Sequence, residues 1–156
     1  MHTTMTHYME LLATNQPWNL ILFMAIPVIF AEFIAVSELY ILLTRNINGT
    51  LHKLNRLAGI VIGFYFVGVF LYLLFNAVIP ITQQGAWRGI GDVIAVGFYL
   101  LGIVPLFGMA LMELGVIGKQ ADEQGKLKLH ASLVGLFLIV AHVAMIFGML
   151  SPDVLA

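Results

Sequence analysis

The chain has 156 residues, 61% of them hydrophobic and only 10% charged, with a formal net charge of −1. Soluble domains carry roughly 25% charged residues, so this composition excludes an ordinary soluble domain, and the lack of a basic patch excludes nucleic acid as a partner. There is no cysteine, which removes disulfides, iron–sulfur clusters, thiolate-ligated metals and cysteine nucleophiles.

In chain order, Met5, Tyr8, Met9, Leu11 and Leu12 recur at helical spacing among Thr, His and Glu. That spacing predicts a short interfacial helix within residues 2–13, lying on the outer membrane face. The first sixteen residues hold no Lys or Arg and no short apolar core, so no cleavable leader is expected. About 20 apolar residues suffice to cross a bilayer, and four runs qualify. The first is Trp18–Thr44, preceded by Pro17, a residue suited to the first turn of a helix. It is longer than the hydrocarbon requires, which predicts tilt, protrusion or a kink at Pro27. The second is Leu57–Pro80, closed by its proline. The third is Gly91–Ile117, with Pro105 as a predicted kink. The fourth is Leu129–Leu150, ended by Ser151 and Pro152.

The three connections are short, which predicts an all-α, antiparallel up-down-up-down four-helix bundle in one membrane domain. Arg45, Lys53 and Arg56 lie in the first connection, and Lys119, Lys126 and Lys128 in the third, leaving only Arg88 for the second. This asymmetry predicts that the first and third loops are cytoplasmic and both termini outside, as in a bacterial inner membrane protein. The topology resembles that of small four-helix membrane cytochromes, a likeness of architecture alone.

Ionisable residues inside such spans cost about 2.5–3.5 kcal/mol each on insertion scales, so each is a candidate functional group. At a rise of about 1.5 Å per residue, Glu32 and His142 fall at a common level near mid-membrane, on spans expected to be neighbours. Their contact would satisfy both, as when an outer carboxylate orients a metal-ligating histidine. Glu38, Glu113, His130 and His52 fall nearer the basic loops and could converge there. A third group combines His2, Met5, His7, Met9 and Glu10 with Met24, Met145 and Met149, residue types that suit copper or a His/Met haem. Glycines inside the spans, including Gly59, Gly63 and Gly102, permit either tight helix packing or room for a flat cofactor.

Three functions follow. The first is a redox or electron-transfer protein holding haem b or a transition metal, copper or iron. Its expected cofactor ligands are His142, His130 and His52, and its metal ligands Glu32, His142, Glu38, Glu113 and His7. The second is a small proton or cation transporter using Glu32, Glu38, Glu113 and His142 as a stair. The third is an accessory subunit of a larger membrane complex, or a homo-oligomer, whose buried polar pairs serve packing. No hydrolase triad or phosphate-binding loop is visible, so no catalytic residue is assigned.

Overall fold

The computed structural model describes residues 5–155. A short helix, α1 (His7–Ala13), precedes four long apolar helices: α2 (Trp18–Thr44), α3 (Thr50–Gln83), α4 (Ile90–Glu113) and α5 (Glu123–Met149). A single turn of 3-10 helix, Pro152–Leu155, follows. Each long helix packs on its chain neighbours, and α2 meets α5 to close the ring. The protein is an all-α, membrane-spanning four-helix bundle. Its outward surface is correspondingly apolar, with Val36, Leu43, Ile29 and Ile139 all turned away from the core.

One end of the bundle, the basic end, carries the two basic connections; the other, the terminal end, carries α1 and the Pro152–Leu155 turn. At the basic end the helices do not stop where the apolar runs stop. α3 begins at Thr50, behind Gly49, and α5 begins at Glu123, capped by Asp122, whose carboxylate accepts from the Gly125 N–H at 2.8 Å. α4 ends at Glu113, short of Ile117. Gly115, at φ 71°, adopts the left-handed conformation, its N–H donating to Met112 and the Val116 N–H reaching back to Leu111 at 2.8 Å. That pattern is the Schellman stop, which glycine accommodates without a Cβ clash. His130, expected at a span's edge, therefore sits two turns inside α5.

The core is closed by side chains. Ile34 of α2, Ile62 and Phe66 of α3, and Leu106 and Met109 of α4 are fully buried. Gly63 lets α3 and α4 approach so closely that a Cβ there would lie 2.5 Å from the Ala110 Cβ and 2.6 Å from the Leu106 carbonyl oxygen. The glycine face is filled by a helix, leaving no slot for a flat cofactor at that point. In α4 the helix breaks at Gly102, with Pro105 removing a donor from the next turn. The first half leans on α5 and the second mainly on α3.

α2 contains a π turn, Ile21–Ala25, immediately before Pro27. Two carbonyls lose their helical donors there. The Ile26 N–H bonds to Ile21 rather than Leu22, and Pro27 has no N–H for Phe23. Tyr65 of α3 donates to the Leu22 carbonyl at 2.7 Å, and Tyr99 of α4 donates to the Phe23 carbonyl. Two tyrosine hydroxyls thus repair the irregular turn from neighbouring helices, as buried backbone acceptors require. A second π turn, Leu74–Val78, precedes Pro80 in α3.

α1 is docked against the bundle more firmly than an interfacial segment would be. Tyr8 and Leu12 are buried in the common core. Asp92, with no exposed surface, accepts from the His7 backbone N–H at 2.7 Å, and its other oxygen lies 2.6 Å from His7 Nδ1. Arg88 pairs with Glu10 and donates to the Met5 carbonyl at 2.8 Å. The Thr6 hydroxyl donates to the Gly148 carbonyl at 2.6 Å. His2 lies outside the described residues.

Candidate functional site

The basic end encloses a cavity of about 310 Å³, and its chemistry centres on three side chains from three helices. His130 of α5 lies with Nδ1 2.7 Å from Glu38 Oε2 of α2 and Nε2 3.6 Å from Glu113 Oε1 of α4. The His130 and Glu38 side chains are only 3% and 4% exposed. The far oxygen of Glu113 meets Arg56 Nε of α3 at 3.1 Å, and the Arg56 guanidinium also donates to the Glu113 carbonyl at 2.6 Å. All four bundle helices therefore contribute to one chain of charge: carboxylate, imidazole, carboxylate, guanidinium.

Packing explains why these groups meet. Gly59 faces His130, and a Cβ there would come within 3.3 Å of Nε2. Below Glu38, buried Asn55 donates to the Ser37 hydroxyl at 2.7 Å and to the Ile34 carbonyl at 3.1 Å, tying α3 to α2. Ser37 in turn donates to the Phe33 carbonyl at 2.7 Å. Beyond Ile34, the centre of the bundle is filled by Ile62, Phe66 and Leu106.

Three buried side-chain atoms lack a hydrogen-bond partner among the described residues: Glu38 Oε1, His130 Nε2 and His52 Nδ1. All three residues line the same cavity. Buried polar atoms are nearly always satisfied, so a shared cavity bordered by three that are not is the place for water or a small polar solute.

The structure also shows where the other predicted groups go. Glu38, Glu113, His130 and His52 share the basic-end cavity. Glu32 and His142 line a separate, apolar cleft between α2 and α5, both facing outward. No hydrogen bond or ion pair joins them among the described residues; His142 Nδ1 instead lies 2.6 Å from the Leu138 carbonyl of its own helix. His7 belongs to Asp92, and Glu10 to Arg88.

This arrangement overturns the metal and haem expectation. Among the described residues, no group of three or more His, Cys, Asp or Glu side chains is placed to hold a metal ion. The physical reason is direction. The His130 nitrogens point at the two carboxylates, whereas metal ligands must aim their donor atoms at one shared point about 2.0–2.2 Å away. His142 spends one nitrogen on its own backbone, and His52 and His130 flank no cofactor slot. Haem b, copper and iron are withdrawn as cofactors, together with a redox or electron-transfer role. The stair from Glu32 to Glu113 is also divided, with the two pairs of residues in different cavities.

Residues 3–156 match the model of a family of unknown function, DUF6803. The chain belongs to that family. No curated protein and no solved structure matches it. The DUF6803 assignment therefore carries no activity, and the chemistry rests on the geometry above. Asn55, Arg56, Asp92, Tyr65 and Tyr99 had no assigned chemistry in the sequence analysis. For Tyr99 a signal existed: Pro27 leaves the carbonyl four residues earlier, that of Phe23, in need of a donor.

Proposed function

We propose that the protein is a small integral membrane protein built around a one-sided proton-exchange centre at Glu38, His130 and Glu113. The observation that carries this reading is a buried imidazole held between the buried Glu38 carboxylate and the partly buried Glu113 carboxylate, in a cavity that opens at the basic end. With His130 neutral, one guanidinium faces two carboxylates and the cluster carries one net negative charge. One proton on His130 balances it. His130 can exchange that proton directly with Glu38 Oε2 at 2.7 Å, and across the 3.6 Å to Glu113 Oε1 through a bridging water in the cavity. The other titratable or charged groups on the cavity wall are His52, Lys119, and the Glu123–Lys126 pair at 3.7 Å. The apolar section beyond Ile34 supports exchange with one side of the membrane rather than conduction through the bundle.

The concentration of Lys and Arg in the first and third connections supports a cytoplasmic opening with both termini outside, as in a bacterial inner membrane protein. The test is histidine ¹⁵N NMR in proteoliposomes of defined orientation. His130 is expected to change protonation with the buffer on the basic-loop side alone, and Glu38→Gln is expected to alter that titration. A His130 signal that follows neither buffer, or both equally, overturns the reading.

A second reading, association with another copy or a larger membrane complex, draws on Gly68 and Gly97. Both face outward, with open space where a Cβ would stand, and small residues admit close helix contact in lipid. Cross-linking through Gly97→Cys in membranes tests it; a monomeric, partner-free product counts against it.

A further inference from the structure

A second cavity, of about 270 Å³, lies between α2 and α5 and extends from Tyr8 at the terminal end to Glu32 and His142 near mid-span. Its walls are made of Phe23, Phe66, Tyr99 and Phe137 with Pro27 and other apolar side chains, and no Lys or Arg lines it. Glu32 is about 18 Å along α2 from the basic end, at 1.5 Å per residue, so its carboxyl group sits deep in the apolar zone. A mid-membrane carboxylate without a counter-charge is costly, yet the Glu32 side chain has neither an ion pair nor a hydrogen bond among the described residues.

The hydrogen-bonding character of the cleft is readable. The Leu138 carbonyl only accepts, so His142 Nδ1 carries the proton and donates to it at 2.6 Å. In neutral imidazole the other nitrogen, Nε2, is then an acceptor. A carboxylate is an acceptor as well. The cleft thus offers two acceptors, one of them able to bear negative charge, beside aromatic rings. Aromatic faces attract cations, more strongly when desolvated. The π turn contributes directly: Phe23 and Met24, which belong to it, both line the cleft. Such turns recur at functional sites because they re-aim side chains.

We propose that this cleft binds a membrane-dissolved organic ammonium ion, a primary or secondary amine in its protonated form on an aromatic or similarly compact apolar body. The ammonium hydrogens meet Glu32 and His142 Nε2, and the apolar body lies against Phe23, Tyr99 and Phe137. Entry is lateral, from the bilayer, since Glu32 and His142 both face outward. The volume fits one compact ring system rather than a whole phospholipid. The site is separate from the Glu38–His130–Glu113 centre and stands without the function proposed for it.

The test uses the full-length protein in lipid nanodiscs and 1-naphthylmethylammonium as a fluorescent probe. Saturable binding above partitioning into empty nanodiscs is expected, weakened roughly tenfold or more by Glu32→Gln. The neutral isostere 1-naphthylmethanol is expected to bind at least as weakly to the unaltered protein. Val28→Trp, which fills the cleft and keeps Glu32, is expected to abolish binding, so the proposal remains testable if Glu32→Gln does not fold. Glu38→Gln is expected to leave the probe affinity unchanged. No saturable binding, equal binding of the alcohol, or full affinity in Glu32→Gln overturns the proposal. So does a cleft that a second copy covers, shown by a Val28→Cys cross-link that excludes the probe.

Discussion

The two cavities solve the problem of charge at membrane depth in opposite ways. At the basic end, Glu38, His130, Glu113 and Arg56 compensate one another, and each helix supplies one group. In the α2–α5 cleft, Glu32 and His142 share a space without a bond between them, and His142 bonds to its own backbone. The first site is internally balanced to within one proton. The second is left with two unpaired acceptors and no Lys or Arg. Mutual pairing makes a structural element that can exchange a proton, and the absence of pairing makes a site suited to a donor from outside.

The sharpest break in this contrast is Glu38→Ala. Removing one partner of a buried, hydrogen-bonded ionic group costs about 3–5 kcal/mol, and detergent-resistant unfolding monitored by circular dichroism should show a loss of that order. Glu38→Gln, which keeps a polar atom near His130, should lose less. A Glu38→Ala variant as stable as the parent would show that the cluster is no more integrated than the cleft.

The next effect concerns the wall that separates the cleft from the terminal end. Burial pushes the Tyr8 phenol up to about 12 from its ordinary 10.0. Because the folded state holds the neutral form, its contribution is intact below pH 10 and is lost as pH rises towards 12. That loss should amount to about 2–3 kcal/mol. Phenolate absorbance should therefore appear together with release of α1, read as proteolytic access to residues near Leu11. Phenolate formation with α1 still docked would contradict the burial argument.

Smaller again is the close approach of α3 and α4. Gly63→Ala places a methyl group against Ala110 and the Leu106 carbonyl and should cost about 1–3 kcal/mol by overpacking. A thermal shift in detergent reads it, and no shift would mean that the helices can part freely beneath the basic-end cavity. The smallest expected effect is that of Glu32→Gln on stability, within about 0.5 kcal/mol or slightly favourable, since no native pair is broken. A loss approaching that of Glu38→Ala would abolish the distinction between the cavities.

Much of the bundle was legible from composition. Four apolar runs and short connections pointed to the helices, and α2 coincides with the first run, whereas α3 continues through Pro80 to Gln83. Helix starts at the basic end were not legible, because Thr50–Arg56 and Glu123–Lys128 are polar but helical, continuing beyond the apolar stretch. That misplaced His130 at an edge when it is two turns inside α5. Depth arithmetic set Glu32 and His142 at one level, and both line one cleft. It could not set their facing, because spans that are apolar all round carry little rotational information. The same limitation hides the role of Asp92, whose burial depends on α1, distant in sequence, docking over it.

The fit of Tyr8 against Gly148, where any Cβ would strike the ring, also sets an order of events during synthesis. α1 leaves the ribosome before every other helix, yet the surface it needs includes the Gly148 carbonyl at the end of α5. The docking site does not exist until the last helix has been inserted. A nascent chain must therefore keep α1 waiting through the insertion of all four spans. Closure of α1 thus reports that α5 is in place, and bulky N-terminal fusions should delay that closure without changing how the four spans insert.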